Sequence, residues 1–175
     1  MNALERRLLP VVRAWHGVIP VWCARDHDID PRLLWRWAHG NDDVQHPARG
    51  VYIWFNDDPD TDYRYTHLAL SLAMAGRGAV FWGPTVVQMA KLGGWGSPII
   101  HVAVPTRRRR RHGFHWHRDT GFARDVLCGL PVENLRQAVI DGLPYMDWDK
   151  QELVLADAVD HGLLDSDEAT ALVGV

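Results

Sequence analysis

Cysteine is almost absent: 175 residues contain two, Cys23 and Cys128. Two cannot build a disulfide framework, and neither sits in a C-x-x-C or mixed Cys/His zinc pattern. A reducing cytoplasm is the expected location. No run approaches the roughly eighteen apolar residues of a membrane-spanning helix. Met1–Pro10 carries Arg6 and Arg7 but no long apolar core and no small-residue cleavage site, so no secretory signal is expected. "GRG" and "GGWG" lack the spacing and the Lys–Ser/Thr ending of a phosphate-binding loop, and no G-x-S-x-G nucleophile elbow occurs. Acidic pairs such as Asp57–Asp58 and Asp147/Asp149 fall in turns and helix starts, where Asp is favoured for capping. The chain is therefore expected not to be an enzyme, and no cofactor is expected.

What is present is uneven. The formal net charge is −3, yet residues 1–55 carry +1, residues 56–140 carry +4 and residues 141–175 carry −8. An acidic end hides a basic body, which suits nucleic-acid binding through the body. Apolar residues make up 47% and charged residues 23%, the balance of a folded rather than a disordered chain. Nine tryptophans leave several for interfaces as well as the core.

Leu4, Leu8, Leu9, Val12 and Trp15 recur at helical spacing and predict a helix over Leu4–His16, with Pro10 kinking it or delaying its start. Val21–His27 predicts a second short helix. In "DPRLLWRWAHG", Asp30 fits an N-cap, Pro31 the first helical position and Gly40 the stop. Leu33, Leu34 and Trp37 are expected to face inward, leaving Arg32, Trp35 and Arg36 on another face. "VQHPARGVYIWF" predicts a β-hairpin, Val44–His46 with Gly50–Phe55, joined across Pro47–Arg49. Three helices and a hairpin in about fifty-five residues is the layout of a winged helix-turn-helix, with the third helix in the major groove and the hairpin as wing. The expected fold class is α+β: this domain over residues 1–55, the turn-rich "NDDPDTD" as boundary, and a small mixed α/β domain over 62–175 with an antiparallel hairpin and C-terminal acidic helices.

Duplex-DNA contacts are expected from Arg25, Arg32, Trp35, Arg36 and Arg49. Arg32 and Arg36 lie one turn apart and can hold guanine or phosphate bidentately, or pair with Asp28, Asp42 or Asp43. Arg6, Arg7 and Arg13 are further candidates for the DNA backbone. "PTRRRRRHGFHWHRD" places Arg107, Arg108, Arg109, Arg110 and Arg111 between two strands, "PIIHVAVP" and "GFHWHRD", as a hairpin tip. The run suits an auxiliary contact to phosphate or to an acidic partner. His112, His115 and His117 follow, but His112 lies beyond the turn and no fourth ligand is evident, so packing beside Trp116 is expected rather than a metal.

In this order the elements resemble the AbiEi-type antitoxins of type IV toxin–antitoxin systems, in their short actinobacterial form. The resemblance is carried by Arg49–Tyr52 ("RGVY"), Gly78–Phe81, Lys91–Trp95, Val102–Pro105, the basic run, His117–Arg118, Gly129–Val132 ("GLPV") and the tail "HGLLDSDEATALV". The chain departs from the pattern at Trp82–Gly83, where many members have Ser–His, and at Glu133–Arg136. The resemblance implies an autorepressor and antitoxin that binds inverted repeats in its own promoter, as a homodimer on DNA, and counters a nucleotidyltransferase-like toxin. The alternatives are a stand-alone regulator or a protein-interaction module, bacterial or phage, on the same fold.

Overall fold

The structure, a computed structural model, describes residues 1–173. It is α+β, with eight α-helices and two sheets among the described residues. The chain divides into two compact units: Met1–Arg77 with Cys128–Leu130, and Gly78–Leu127 with the chain from Pro131 on.

The first unit opens with α1 (Ala3–Ala14), capped by a reciprocal pair in which the Asn2 side chain accepts from Glu5 N–H and Glu5 accepts from Asn2 N–H. Pro10 is accommodated inside this helix. After β1 (Val18–Pro20) come α2 (Val21–Asp26) and α3 (Pro31–His39), then β2 (Val44–Ala48) and β3 (Val51–Trp54). The antiparallel sheet runs β1-β3-β2. Leu8, Val11 and Val12 of α1, Ile19, Ala24, Ile29, Leu34 and Ala38 form its core with Tyr52 and Trp54.

Two expectations change here. β1 went unforeseen, and it makes β3 the central strand. All four residues of β3 are buried, because α4 (Thr66–Ala75) packs against β1 and β3 as well. The alternation of Val51 and Ile53 with Tyr52 and Trp54 therefore separates two covered faces rather than core from water. The boundary expected at Asn56–Asp62 is instead tied into the first unit. The Tyr63 hydroxyl accepts from Asn56 N–H (2.8 Å) and donates to the Trp54 carbonyl (3.1 Å). The Thr66 hydroxyl donates to the His16 carbonyl (2.6 Å). Gly17, at φ +88°, lies under the Tyr63 ring, and a Cβ there would fall 2.5 Å from it. The units divide after α4, at Arg77–Gly78.

The second unit contains β4 (Val80–Phe81), α5 (Pro84–Met89), β5 (Ile100–Val104), β6 (Phe114–Arg118), β7 (Arg124–Leu127), β8 (Leu130–Glu133), α6 (Leu135–Gly142), α7 (Trp148–Asp160) and α8 (Ser166–Leu172). The mixed sheet runs β6-β5-β4-β8-β7. A helical core of Val87, Val139, Leu143, Val154, Leu155 and Ala158 lies with α5–α7. The "LGG" turn fits closely on α7: Gly93, at φ +56°, leaves no room for a Cβ, which would lie 2.5 Å from Val154 N.

The expected antiparallel hairpin across the arginine run is not formed. β5 and β6 are parallel, with Ile100 opposite Phe114, His101 opposite His115 and Ala103 opposite His117. Parallel neighbours need a connection that returns to the starting end. Residues 105–113 supply it: extended, they reach about 30 Å, against the roughly 16 Å length of a five-residue strand. Arg107–Arg111 is thus the exposed return path, not a tip.

If Asn56–Tyr65 belongs to the first unit, Tyr63→Phe leaves the buried-side Asn56 N–H without its acceptor. The expected loss is about 1–3 kcal/mol of folding stability in denaturant titrations, with helix content unchanged; no loss contradicts the assignment.

Candidate functional site

The first candidate surface is the outer face of α3. The Asp30 carboxylate accepts from Arg32 N–H (2.7 Å) and Leu33 N–H (3.2 Å), which starts the helix, and Gly40 follows its end. Leu34 and Ala38, four apart, are buried, and Trp37 turns inward to donate from Nε1 to Glu5 Oε1 (3.2 Å). At about 100° per residue, this leaves Arg32, Trp35, Arg36 and His39 on one outward arc of roughly 100°. Leu33, expected inside, lies on the flank of that arc and is 37% exposed, because the Leu34–Ala38 stripe fills the core side.

Arg32 and Arg36 are exposed, and among the described residues neither is within ion-pair distance of a carboxylate. The pairing to Asp28, Asp42 or Asp43 held open by the sequence is not made. Trp35 is half exposed and stacks on His39, with centroids 4.2 Å apart. His39 meets His46 edge-on, and His46 stacks on Tyr52, so a row of rings runs from α3 to the β2–β3 hairpin. Arg49 is exposed at the hairpin turn and Arg25 is exposed on α2.

Other arginines are occupied. Arg13 grips Asp58 (2.7 Å) and Asp60 (3.1 Å), and Arg7 donates to the His27 and Asp28 carbonyls. Arg6 donates to the Met1 carbonyl. The carboxylates before α3 are partly neutralised as well: Asp26 pairs with Arg77 at 2.9 Å, and Asp30 caps the helix. Two backbone N–H groups hold the Asp30 carboxyl below its ordinary range.

The second candidate site lies on the β5–β6 sheet. Side chains two apart on a strand share a face, and partners in register lie side by side. The parallel register therefore brings His101, His115 and His117 together. His101 Nδ1 and His117 Nε2 are 3.0 Å apart, and one ring nitrogen from each of the three residues lies within 4.8 Å of the others. His117 stacks on Trp82 at 3.6 Å, and Tyr145 stands edge-on to all three imidazoles. Burial, and then the neighbouring imidazoles, hold His101 down at about 4 and His117 at about 3, so both are neutral at pH 7. The sequence grouped His115 and His117 with His112, which instead lies exposed in the return path. The third ring comes from His101, whose only signal was a histidine in an otherwise apolar strand. Trp116 points to the other face, where its Nε1 donates to the Arg109 carbonyl (2.9 Å) and Arg111 lies over Phe114.

Beside this cluster an open pocket of about 550 Å³ is lined by Trp82, His117, Arg118, Glu133, Gln137 and Asp141. Glu133, fully buried, accepts from Gly83 N–H through Oε2 (2.9 Å), while its Oε1 has no partner among the described residues. Burial pushes the Glu133 carboxyl up to about 8; the Gly83 N–H opposes the rise and the nearby Asp141 carboxyl adds to it.

No helix among the described residues is long and apolar enough to cross a membrane. No protein-family model matches the chain, and no curated protein matches it.

Glu133 makes stability fall as pH rises. Below its ordinary value of 4.5 both folded and unfolded chains carry the proton; towards pH 8 only the folded chain still does, so folding must take a proton up. Between pH 6.5 and 8 this removes about 1–2 kcal/mol. Glu133→Gln keeps an acceptor for Gly83 N–H and lacks the titration, so in melts at the two pH values its advantage over the wild type is expected to grow at pH 8. A gap independent of pH contradicts the assignment.

Proposed function

We propose that the first unit is a winged helix-turn-helix that binds duplex DNA, with α3 in the major groove and the Arg49 turn against the phosphates. The observation that carries this is the outward arc of α3. Two exposed guanidiniums one turn apart, with no carboxylate at ion-pair distance among the described residues, flank a half-exposed indole on a helix whose opposite face is buried. Guanidinium forks match guanine N7/O6 or phosphate oxygens, and an indole suits thymine methyls and sugar. The order helix, strand, two helices, two strands, with the sheet running β1-β3-β2, supports the same reading. Exposed Arg49 and Arg25 are read as further phosphate contacts. The return path Arg107–Arg111 is an auxiliary contact for phosphate or an acidic partner.

Carried by the AbiEi resemblance, the wider reading is a non-enzymatic, cytoplasmic autorepressor. It binds inverted repeats in its own promoter two-fold and acts as antitoxin against a nucleotidyltransferase-like toxin. A nucleotidyltransferase gene beside this one distinguishes that role from a stand-alone regulator.

The test is a titration of the full chain against its own upstream region and against random duplex at two salt concentrations. The upstream region is expected to bind more tightly. Arg32→Ala and Arg36→Ala are each expected to cost about 1–3 kcal/mol and relax the preference, whereas Arg49→Ala weakens both duplexes alike and lowers the salt slope by about one. Equal binding of the two duplexes, unchanged in the Arg32 and Arg36 variants, overturns the reading.

A further inference from the structure

The second unit holds a donor set that DNA binding leaves unused. His101 and His115 are register partners on adjacent parallel strands, and His117 is two residues along the same face. All three rings stack on one another and meet Tyr145 edge-on. His101 is 4% exposed, and its backbone N–H donates to the Thr85 hydroxyl at 2.7 Å. His117 lies against the face of Trp82 at 3.6 Å. The third, His115, is exposed to solvent while its ring stacks on His101 (4.9 Å) and His117 (4.7 Å).

The distances suit a metal. Imidazole nitrogens bind zinc at about 2.0–2.1 Å, which sets ligand nitrogens in a tetrahedron about 3.3–3.4 Å apart. His101 Nδ1 and His117 Nε2, at 3.0 Å, are already close to that separation. With all three nitrogens inside 4.8 Å, the remaining separations have to close by at most about 1.5 Å. Without an ion the 3.0 Å contact is a hydrogen bond between two neutral imidazoles; a cation would replace its shared proton, with the third ring nitrogen alongside.

We propose that His101, His115 and His117 form a three-imidazole site for a divalent zinc-class cation, with its fourth position open on the exposed His115 side. Neutral nitrogen donors select zinc and its first-row neighbours over magnesium and calcium, which take oxygen ligands. Trp82 and Tyr145 fix the ring orientations and wall the site with apolar surface, while the side of His115 admits the ion. Three protein ligands and one open position is the arrangement that leaves room for water or a further ligand on the metal.

The experiment titrates the full chain, stripped with chelator, with Co2+ as a spectroscopic probe and then displaces it with Zn2+. One equivalent per chain is expected, with the visible absorption of a tetrahedral nitrogen-ligated Co2+ ion. Zinc is expected to raise the melting temperature and to shift the imidazole nitrogen resonances of His101 and His117. His115→Ala removes an exposed ring, so its fold, checked by circular dichroism, is retained, and it is expected to weaken Zn2+ binding at least about tenfold. His117→Ala gives a second loss, and His112→Ala, in the return path, leaves binding unchanged. Absence of saturable binding in the wild type overturns the proposal. So does binding that survives in both His115→Ala and His117→Ala, which places the ion elsewhere.

Discussion

Parallel pairing of β5 with β6 is the constraint on which most of the second unit depends. An antiparallel pair could be closed by a tight turn; a parallel pair requires the chain to run back beside its own strand before starting again. Residues 105–113 make that return, and their length rather than their charge is the first thing the fold asks of them. The same pairing sets His101 opposite His115 and so decides which imidazoles meet. Slipping the register by one residue would turn His115 and His117 to the face that now carries Phe114 and Trp116, and the cluster would not exist.

In the first unit the comparable constraint is that α3 can bury only one stripe. Leu34 and Ala38 occupy it, and Trp37 reaches inward only far enough to find Glu5. Everything at the opposite angle is left to water or to a ligand. Arginines elsewhere in the unit have partners: Arg13 anchors the Asp58–Asp60 loop, and Arg7 steadies the carbonyls ahead of α3. Scaffold cations are thus separated from those with no carboxylate at ion-pair distance among the described residues, which lie on α3, α2 and the hairpin turn.

Local chemistry was legible in the sequence and long-range pairing was not. The Asp30–Pro31 start of α3 uses backbone donors and a proline dihedral within a few residues, and Gly40 follows the last turn, though at a negative φ that any residue could adopt. The α1 stripe likewise carries its own periodicity. β1 was missed because Val18–Pro20 is three residues long and becomes a strand only when Val51–Ile53 pairs with it. β8 has no local signal either: "GLPV" reads as turn punctuation before a helix, and Val132 is a strand residue because Phe81 of β4, about fifty residues away, pairs with it. His101 shows the same limit at the level of a site. Nothing near it in sequence announces a cluster, and its partners are supplied by a pairing direction that strand patterns do not encode.

β6 is also the outer strand of its sheet, with β5 as its one hydrogen-bonded neighbour among the described residues. An uncovered edge of this kind is a template onto which another chain can add a strand. Here the return path folds over the outer face beside it, Trp116 holding the Arg109 carbonyl and Arg111 lying on Phe114. The segment that lets the sheet run parallel thus also sets five cationic side chains beside this edge, the kind of charge that disfavours strand addition.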